Sequence, residues 1–184
     1  MENFPEKTAA ANLASAITSL HGKDGYAVPN RFEVIITAPT PNYSEQRKVS
    51  LRCESINLPG RNLNSGTDTN IYGPTREIVD GVTYADDINM TFQASSGLDE
   101  RVFFEKWQEL AFHERSWNVG YYNDYIGEVD IYLMNRQDER KYGIKLMEAF
   151  PKTIGAQELS QSANNELMKL AVTFSFRYWT TLDA

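Results

Sequence analysis

The feature that most constrains this 184-residue chain lies near its end. Residues Met168, Leu170, Val172, Phe174, Phe176 and Tyr178 alternate with Lys169, Ala171, Thr173, Ser175 and Arg177. Successive side chains of a strand point to opposite faces, so this spacing predicts one eleven-residue strand with its large apolar groups on one side and small or polar groups on the other. Such a strand needs partners, and the sequence supplies them. Ile88, Met90, Phe92 and Ala94 alternate with Asp87, Asn89, Thr91 and Gln93. Val129, Ile131 and Leu133 answer Tyr142, Ile144 and Leu146 across a polar turn, which predicts a hairpin. Phe32, Val34 and Ile36, then Val49, Leu51 and Cys53, predict two earlier strands joined by a loop holding Pro39, Pro41 and Asn42. Residues 57–68 are rich in Pro, Gly and Asn and are expected to form an extended loop, followed by short strands around 70–72 and 76–79.

Two segments follow a helical period instead. Leu98, Val102, Phe103, Trp107, Leu110 and Ala111 recur at spacings of three and four, with Ser96 placed to cap and Asp99 and Glu100 suited to the positive N-terminal end. Near the N-terminus, residues 7–20 carry Leu13, Ala16, Ile17 and Leu20 on one helical stripe, and His21-Gly22-Lys23-Asp24-Gly25 ends it. The expected organisation is an arm with a short helix over residues 1–26 and one domain over 27–184. The fold class is α+β, mainly an antiparallel β-sandwich or barrel with one packed α-helix.

Size and charge narrow the function. The length suits a single domain with its own core. Eighteen Lys and Arg against 25 Asp and Glu give a net charge of −7, which disfavours nucleic-acid binding, since that depends on cations neutralising phosphates. No apolar run approaches the 20 or so residues that span a bilayer, and the first 20 residues lack the basic start and apolar block of a secretory signal. The single cysteine, Cys53, excludes an intrachain disulfide. Synthesis in the cytoplasm is the simplest expectation.

The residues that could carry chemistry each have a plainer explanation. His21 and His113 stand apart, so neither begins a metal site. Cys53 sits among apolar strand positions and is expected to be buried and inert. The acid pairs Asp86-Asp87, Asp99-Glu100 and Asp138-Glu139 fall at a turn, a helix start and a hairpin tip, where solvated carboxylates are ordinary. Residues 22–25 lack the length of a phosphate-binding loop. The expectation is no catalysis, no cofactor and no metal.

The order of several motifs resembles the tail-tube family of contractile phages, which is related in fold to the inner tube of type VI secretion and of other contractile injection systems. Val28-Pro29-Asn30-Arg31-Phe32-Glu33-Val34 is similar to the family's opening strand, and the run from Leu51 through Leu58-Pro59-Gly60 to its second strand and turn. Phe103 and Trp107 match the helix. Ala149-Phe150-Pro151-Lys152-Thr153-Ile154-Gly155, followed by Asn164-Asn165-Glu166 and the strand ending Tyr178-Trp179, is the most specific stretch. The resemblance spans roughly residues 27–180, and the N-terminal arm is longer than the family pattern.

This resemblance implies a hexameric ring with a continuous inner β-barrel, stacked into a hollow tube through which viral DNA passes without specific binding. It also implies the tail sheath, tape-measure, baseplate and tail-terminator proteins as partners, a place in the virion tail after synthesis in the host cytoplasm, and no membrane. Lumen-facing residues would be Asp87, Asn89, Thr91, Gln93, Lys169, Thr173, Ser175 and Arg177. Contacts between subunits or rings would involve Leu58, Pro59, Gly60, Arg61, Asn62, Ile71 and Tyr72. Two other readings stay open: a baseplate tube initiator or the inner tube of a phage-derived injection machine, and a soluble monomeric β-sandwich binding module using Trp117, Tyr121 and Tyr122.

Overall fold

The structure, a computed structural model, describes residues 26–39, 43–69, 72–84, 87–161 and 167–182. The N-terminal arm, Pro41, Asn42, Ile71, Asp86 and the Asn164-Asn165-Glu166 motif lie outside the described residues. In chain order the elements are β1 (Phe32–Thr37), α1 (Tyr43–Leu51), β2 (Cys53–Ile56), β3 (Arg61–Asp68), β4 (Arg76–Tyr84), β5 (Ile88–Gln93), α2 (Asp99–Ala111), the single turn α3 (Tyr122–Tyr125), β6 (Gly127–Met134), β7 (Arg140–Ile154), β8 (Lys169–Ser175) and β9 (Tyr178–Leu182).

Seven strands form one antiparallel sheet in the order β1-β6-β7-β8-β5-β2, with β9 also paired to β7. The fifteen-residue β7 is the hinge of this sheet. Its first part pairs with β6 and β9, whereas Phe150 to Ile154 pair with β8. Between these parts Glu148 adopts φ 56, and the ladders shift register near Gly127 and again between Pro151 and Thr153. Bulges of this kind bend a strand and increase its twist. The two halves of the sheet then share one core: Val34, Ile36, Val129, Ile131, Ile144 and Leu146 from one half, Ile88, Met90, Phe92, Leu170, Val172 and Phe174 from the other.

Helix α2 joins that core with Phe103, Phe104 and Trp107. Phe104 lies 5.0 Å from Phe92 and 5.8 Å from Phe174, tilted and edge-on, the geometries aromatic quadrupoles favour. The Trp107 indole donates to the Tyr125 carbonyl at 2.7 Å, so its polar edge is satisfied. A Cβ at Gly127 would stand 2.4 Å from the Thr37 carbonyl oxygen and 2.7 Å from the Trp107 ring, so only glycine lets the indole lie this close to β6.

The sandwich, the β6–β7 hairpin and α2 agree with the sequence. Four expectations do not. First, Val49 and Leu51 belong to helix α1 rather than a strand: Gln46, Val49 and Ser50 face inward at spacings of three and four, while Leu51 is exposed. Polar bonds tie α1 to β1 and to Ala38 just beyond it. Ser50 Oγ accepts from the Ile36 amide at 3.0 Å and donates to the Gln46 carbonyl at 2.8 Å, and the Gln46 amide donates to the Ala38 carbonyl at 3.1 Å. Second, the long final strand is two. Phe176 and Arg177 carry the chain across the corner, from β8 beside β5 to β9 beside β7, with the Arg177 amide bonded to the Met147 carbonyl at 3.1 Å. Third, residues 61–68 form β3, paired with β4 in a separate two-stranded sheet. Fourth, Ser95 rather than Ser96 reaches the first turn of α2, its Oγ accepting from the Asp99 amide at 3.1 Å, and Val102 faces solvent while Phe104 takes the core position.

Candidate functional site

Two surfaces stand out, and the first is built from the strands that fill the core. Because Ile88, Met90 and Phe92 of β5 and Leu170, Val172 and Phe174 of β8 point inward, the intervening residues must point outward together. The register places Asn89 beside Thr173, Thr91 beside Ala171 and Gln93 beside Lys169. Thr153 of β7 extends the Thr173–Asn89 row, and the Thr173 hydroxyl bonds the Asn89 side-chain oxygen at 2.8 Å. Thus Asn89, Thr91, Gln93, Lys169, Thr173 and Ser175 share one face, with Asp87 at its end.

Charge on this face is balanced locally. Lys169 reaches across β5 to Glu54 on β2 at 2.5 Å, and Lys152 on β7 meets Asp87 at 2.5 Å. Glu54, Lys152 and Thr153 therefore belong to the same surface, although the sequence reading left them out. Their signal was weak, since Glu54 sits at a register shift between Cys53 and Ser55, and Lys152 beside another. Arg177 is set apart. It lies past the end of β8 and pairs at 2.9 Å with Glu148, whose carboxylate also accepts from the Tyr122 hydroxyl at 2.7 Å. The Tyr122 bond, then the Arg177 guanidinium, holds the Glu148 carboxyl below its ordinary value, while desolvation first and then Glu148 push the Tyr122 phenol up to about 12.

The second surface is the β3–β4 hairpin and the connector before it. Leu58, Pro59 and Gly60 run between β2 and β3, and Arg61 and Asn62 begin β3. At its base the hairpin is fastened to β9: the Trp179 indole donates to the Gly60 carbonyl at 3.2 Å, the Arg61 guanidinium lies 5.1 Å above the Trp179 ring, and Tyr84 packs on Tyr178 and Trp179. Beyond the base nearly every residue is exposed. Pairing Leu63 with Val82 and Ser65 with Val79 gathers Leu63, Val79 and Val82 on one side, at 64%, 57% and 47% exposure. Tyr72, at the tip, is 90% exposed. Ile71 lies outside the described residues.

The residues singled out for possible chemistry each occupy a structural setting. Cys53 is half-buried, and burial pushes its thiol up to about 12, so it stays protonated at neutral pH. Glu100 is not a solvated helix-start acid. It is 1% exposed, ion-paired to Arg52 and bonded to the Ser95 amide at 2.9 Å. Asp138 pairs with Arg31, and His113 is exposed. Among the described residues no group of three or more His, Cys, Asp or Glu could hold a metal ion, and no helix is long and apolar enough to cross a membrane.

The family model described as phage tail tube protein matches residues 27–182. The chain belongs to the phage tail tube protein family. No curated protein matches it by sequence. Among solved structures, a chain of the PVC extracellular contractile injection system, from its sheath–tube complex in the extended state, aligns with a TM-score of 0.63 at 11% identity, covering 91% of this chain and 97% of that one. A chain of the anti-feeding prophage baseplate aligns with a TM-score of 0.63 at 14% identity over 85% and 95%. A chain of the anti-feeding prophage tube-terminating cap aligns with a TM-score of 0.62 at 15% identity over 86% and 93%. These likenesses establish a shared fold. Family membership makes the chain a structural tube subunit of a tail, and the bent sheet with an outward polar face is how this tail tube sequence builds that fold.

Proposed function

We propose that this chain is the repeating subunit of a contractile phage tail tube, closing into a hexameric ring whose polar β5–β8 face lines the lumen. The observation that carries this reading is the division of labour within one pair of strands. The face opposite the sealed core is continuous, polar and locally neutral. Four strands, β2, β5, β8 and the end of β7, form that part of the sheet, and all run antiparallel. An even number has a consequence for assembly: when copies are repeated around an axis, β2 of one copy meets β7 of the next in antiparallel sense, so the barrel can close without a mismatch. The Gln108 amide already occupies the Pro151 carbonyl at 3.0 Å, which limits the seam to a short stretch of β7. Closure would cover sheet edges that otherwise invite uncontrolled pairing.

Asp87, Asn89, Thr91, Gln93, Lys169, Thr173 and Ser175 would then meet the passing DNA, with Arg177 near the rim. Lys152 and Lys169 are each paired with an acid, so the surface offers DNA little unneutralised positive charge and lets it slide. Leu58, Pro59, Gly60, Arg61, Asn62 and Tyr72 would make contacts between subunits or rings through the hairpin, and Ile71 would join them. The tail sheath, tape-measure, baseplate and tail-terminator proteins are the proposed partners and the virion tail the final location, after synthesis in the host cytoplasm. Residues 27–184 are proposed as the tube domain, with residues 1–26 a separate arm. The role is structural, without catalysis.

Negative-stain microscopy of the purified full chain tests this reading. Rings about one central hole, or stacked hollow tubes, are expected. A monomer that persists at high protein concentration overturns it.

A further inference from the structure

An apolar groove of about 610 Å³ opens on the side of the sandwich where the described chain begins. Phe32, Ile56, Leu58, Leu133 and Tyr142 line it, and so do Ala27, Val28 and Pro29, the residues that immediately follow Tyr26. Leu58 and Tyr142 remain 51% and 41% exposed, which leaves large apolar groups facing water around a concave site. The sequence that enters this groove is preceded by an amphipathic stretch, with Leu13, Ala16, Ile17 and Leu20 on one helical stripe. Only residues 21–25, His-Gly-Lys-Asp-Gly, separate Leu20 from Tyr26. Fully extended they reach roughly 17–18 Å, and their two glycines permit the chain to reverse direction.

We propose that the stripe Leu13, Ala16, Ile17 and Leu20 docks into this groove of its own chain, so that the N-terminal arm covers the outer wall formed by β1, β6 and the end of β2. Three points on the molecule support that occupant over any other. The groove is apolar, as the stripe is. Its rim is built by the residues that tether the arm. And the short tether keeps the arm at a high effective concentration beside its own groove, which favours it over the same segment of a second copy. A neighbour's Leu63, Val79 and Val82 stripe is the competing occupant.

The test uses the full chain with Cys53→Ser, which removes the one native thiol. Ile17→Cys on the apolar stripe and Tyr142→Cys at the groove wall are combined, and a second protein carries Ser15→Cys, off the stripe by the sequence period, with Tyr142→Cys. Mild oxidation is followed on non-reducing gels at two protein concentrations, in unassembled and assembled fractions separately. The docked arm predicts an intrachain disulfide in the Ile17→Cys protein that forms roughly tenfold faster than in the Ser15→Cys protein and at a rate independent of concentration. Equal rates in the two proteins overturn the proposal. So do disulfides that link separate chains with concentration-dependent yield, because they assign the groove to another subunit. Because the unassembled fraction is read by itself, failure to form tubes and failure of the arm to dock give different results. Deleting residues 2–20 provides a check free of cysteine chemistry: binding of an apolar fluorescent dye should rise severalfold, and unchanged dye binding counts against the docked arm.

Discussion

Along β5 and β8 every second side chain is sealed into the core and the residues between them form a paired polar surface, whereas along β3 and β4 almost nothing is covered on either face. Both are antiparallel pairs of ordinary length. The difference is where the stabilising contacts come from. β5 and β8 hold their place through Phe92, Phe174 and the α2 aromatics within the same chain. Among the described residues the β3–β4 hairpin is tied down at its base, where Arg61 and Tyr84 meet Trp179 and Tyr178, and an isolated two-stranded hairpin is marginal in water. A region stabilised within the chain and a region proposed to be completed by assembly should therefore respond differently to substitution.

Core truncation gives the largest effect. Phe174→Ala removes a fully buried ring that touches both Phe104 and Trp107, and should destabilise the chain by about 3–5 kcal/mol in urea unfolding. Tubes would be lost because the subunit is lost. A cost below about 1 kcal/mol would mean that the β5–β8 half is not the stable part of the molecule.

Next in size is Glu100→Gln. The carboxylate is buried, accepts from the Ser95 amide and pairs with Arg52, which joins α1 to the start of α2. Arg52 is partly exposed and can be hydrated once the charge is gone, so the expected loss is roughly 1–3 kcal/mol rather than the larger cost of stranding a buried ion. Thermal unfolding measures it, and an unchanged melting temperature would remove Glu100 from the contacts that secure α2.

A smaller and pH-dependent effect belongs to the corner of β7. The Glu148 carboxyl is depressed by the Tyr122 hydroxyl first and by Arg177 second, so its contribution is present above its ordinary value of 4.5 and lost as pH falls through the lower folded value. Tyr122 is raised, so the same contact is intact below 10 and disappears as pH climbs toward about 12. Tyr122→Phe should lower the melting temperature slightly near neutral pH, and the gap from the parent protein should close at both extremes. A gap that does not change with pH would separate the corner from this contact.

The same contrast explains what was legible in the sequence. Alternation is readable where one face is buried, as at Ile88–Gln93 and Val129–Leu133, because burial selects the apolar residues. It misled at Val49 and Leu51, where two apolar positions fit both periods and the deciding signals were the polar Gln46 and Ser50, which a hydropathy pattern does not register. It ran on past Ser175, since nothing in Phe176 or Tyr178 says that the next residue partners a different strand. Asn62, Leu63, Asn64, Ser65 and Gly66 showed no strand at all, because the monomer buries neither side of β3 and so imposes no pattern on it. Of the proposed lumen face, the β5 and β8 positions were readable from their period. Glu54 and Lys152 were not, because register shifts break the period where they occur.

The hairpin provides the prediction in which the effect on the single chain is smallest and the effect on assembly greatest. Leu63→Asn combined with Val82→Thr exchanges two exposed aliphatic groups for polar ones of similar size, in a sheet that the core does not touch. Unfolding free energy should stay within about 0.5 kcal/mol of the parent, as for surface positions generally. Tube formation should fail all the same, because exposed apolar side chains at such a site are kept for a partner surface. The two readouts must be taken on one preparation. A large loss of stability would place the hairpin among the elements that hold the monomer together, and tubes of normal length from a normally stable variant would show that Leu63 and Val82 serve neither purpose. Only a stable chain that no longer assembles fits a hairpin whose missing contacts lie on the next subunit.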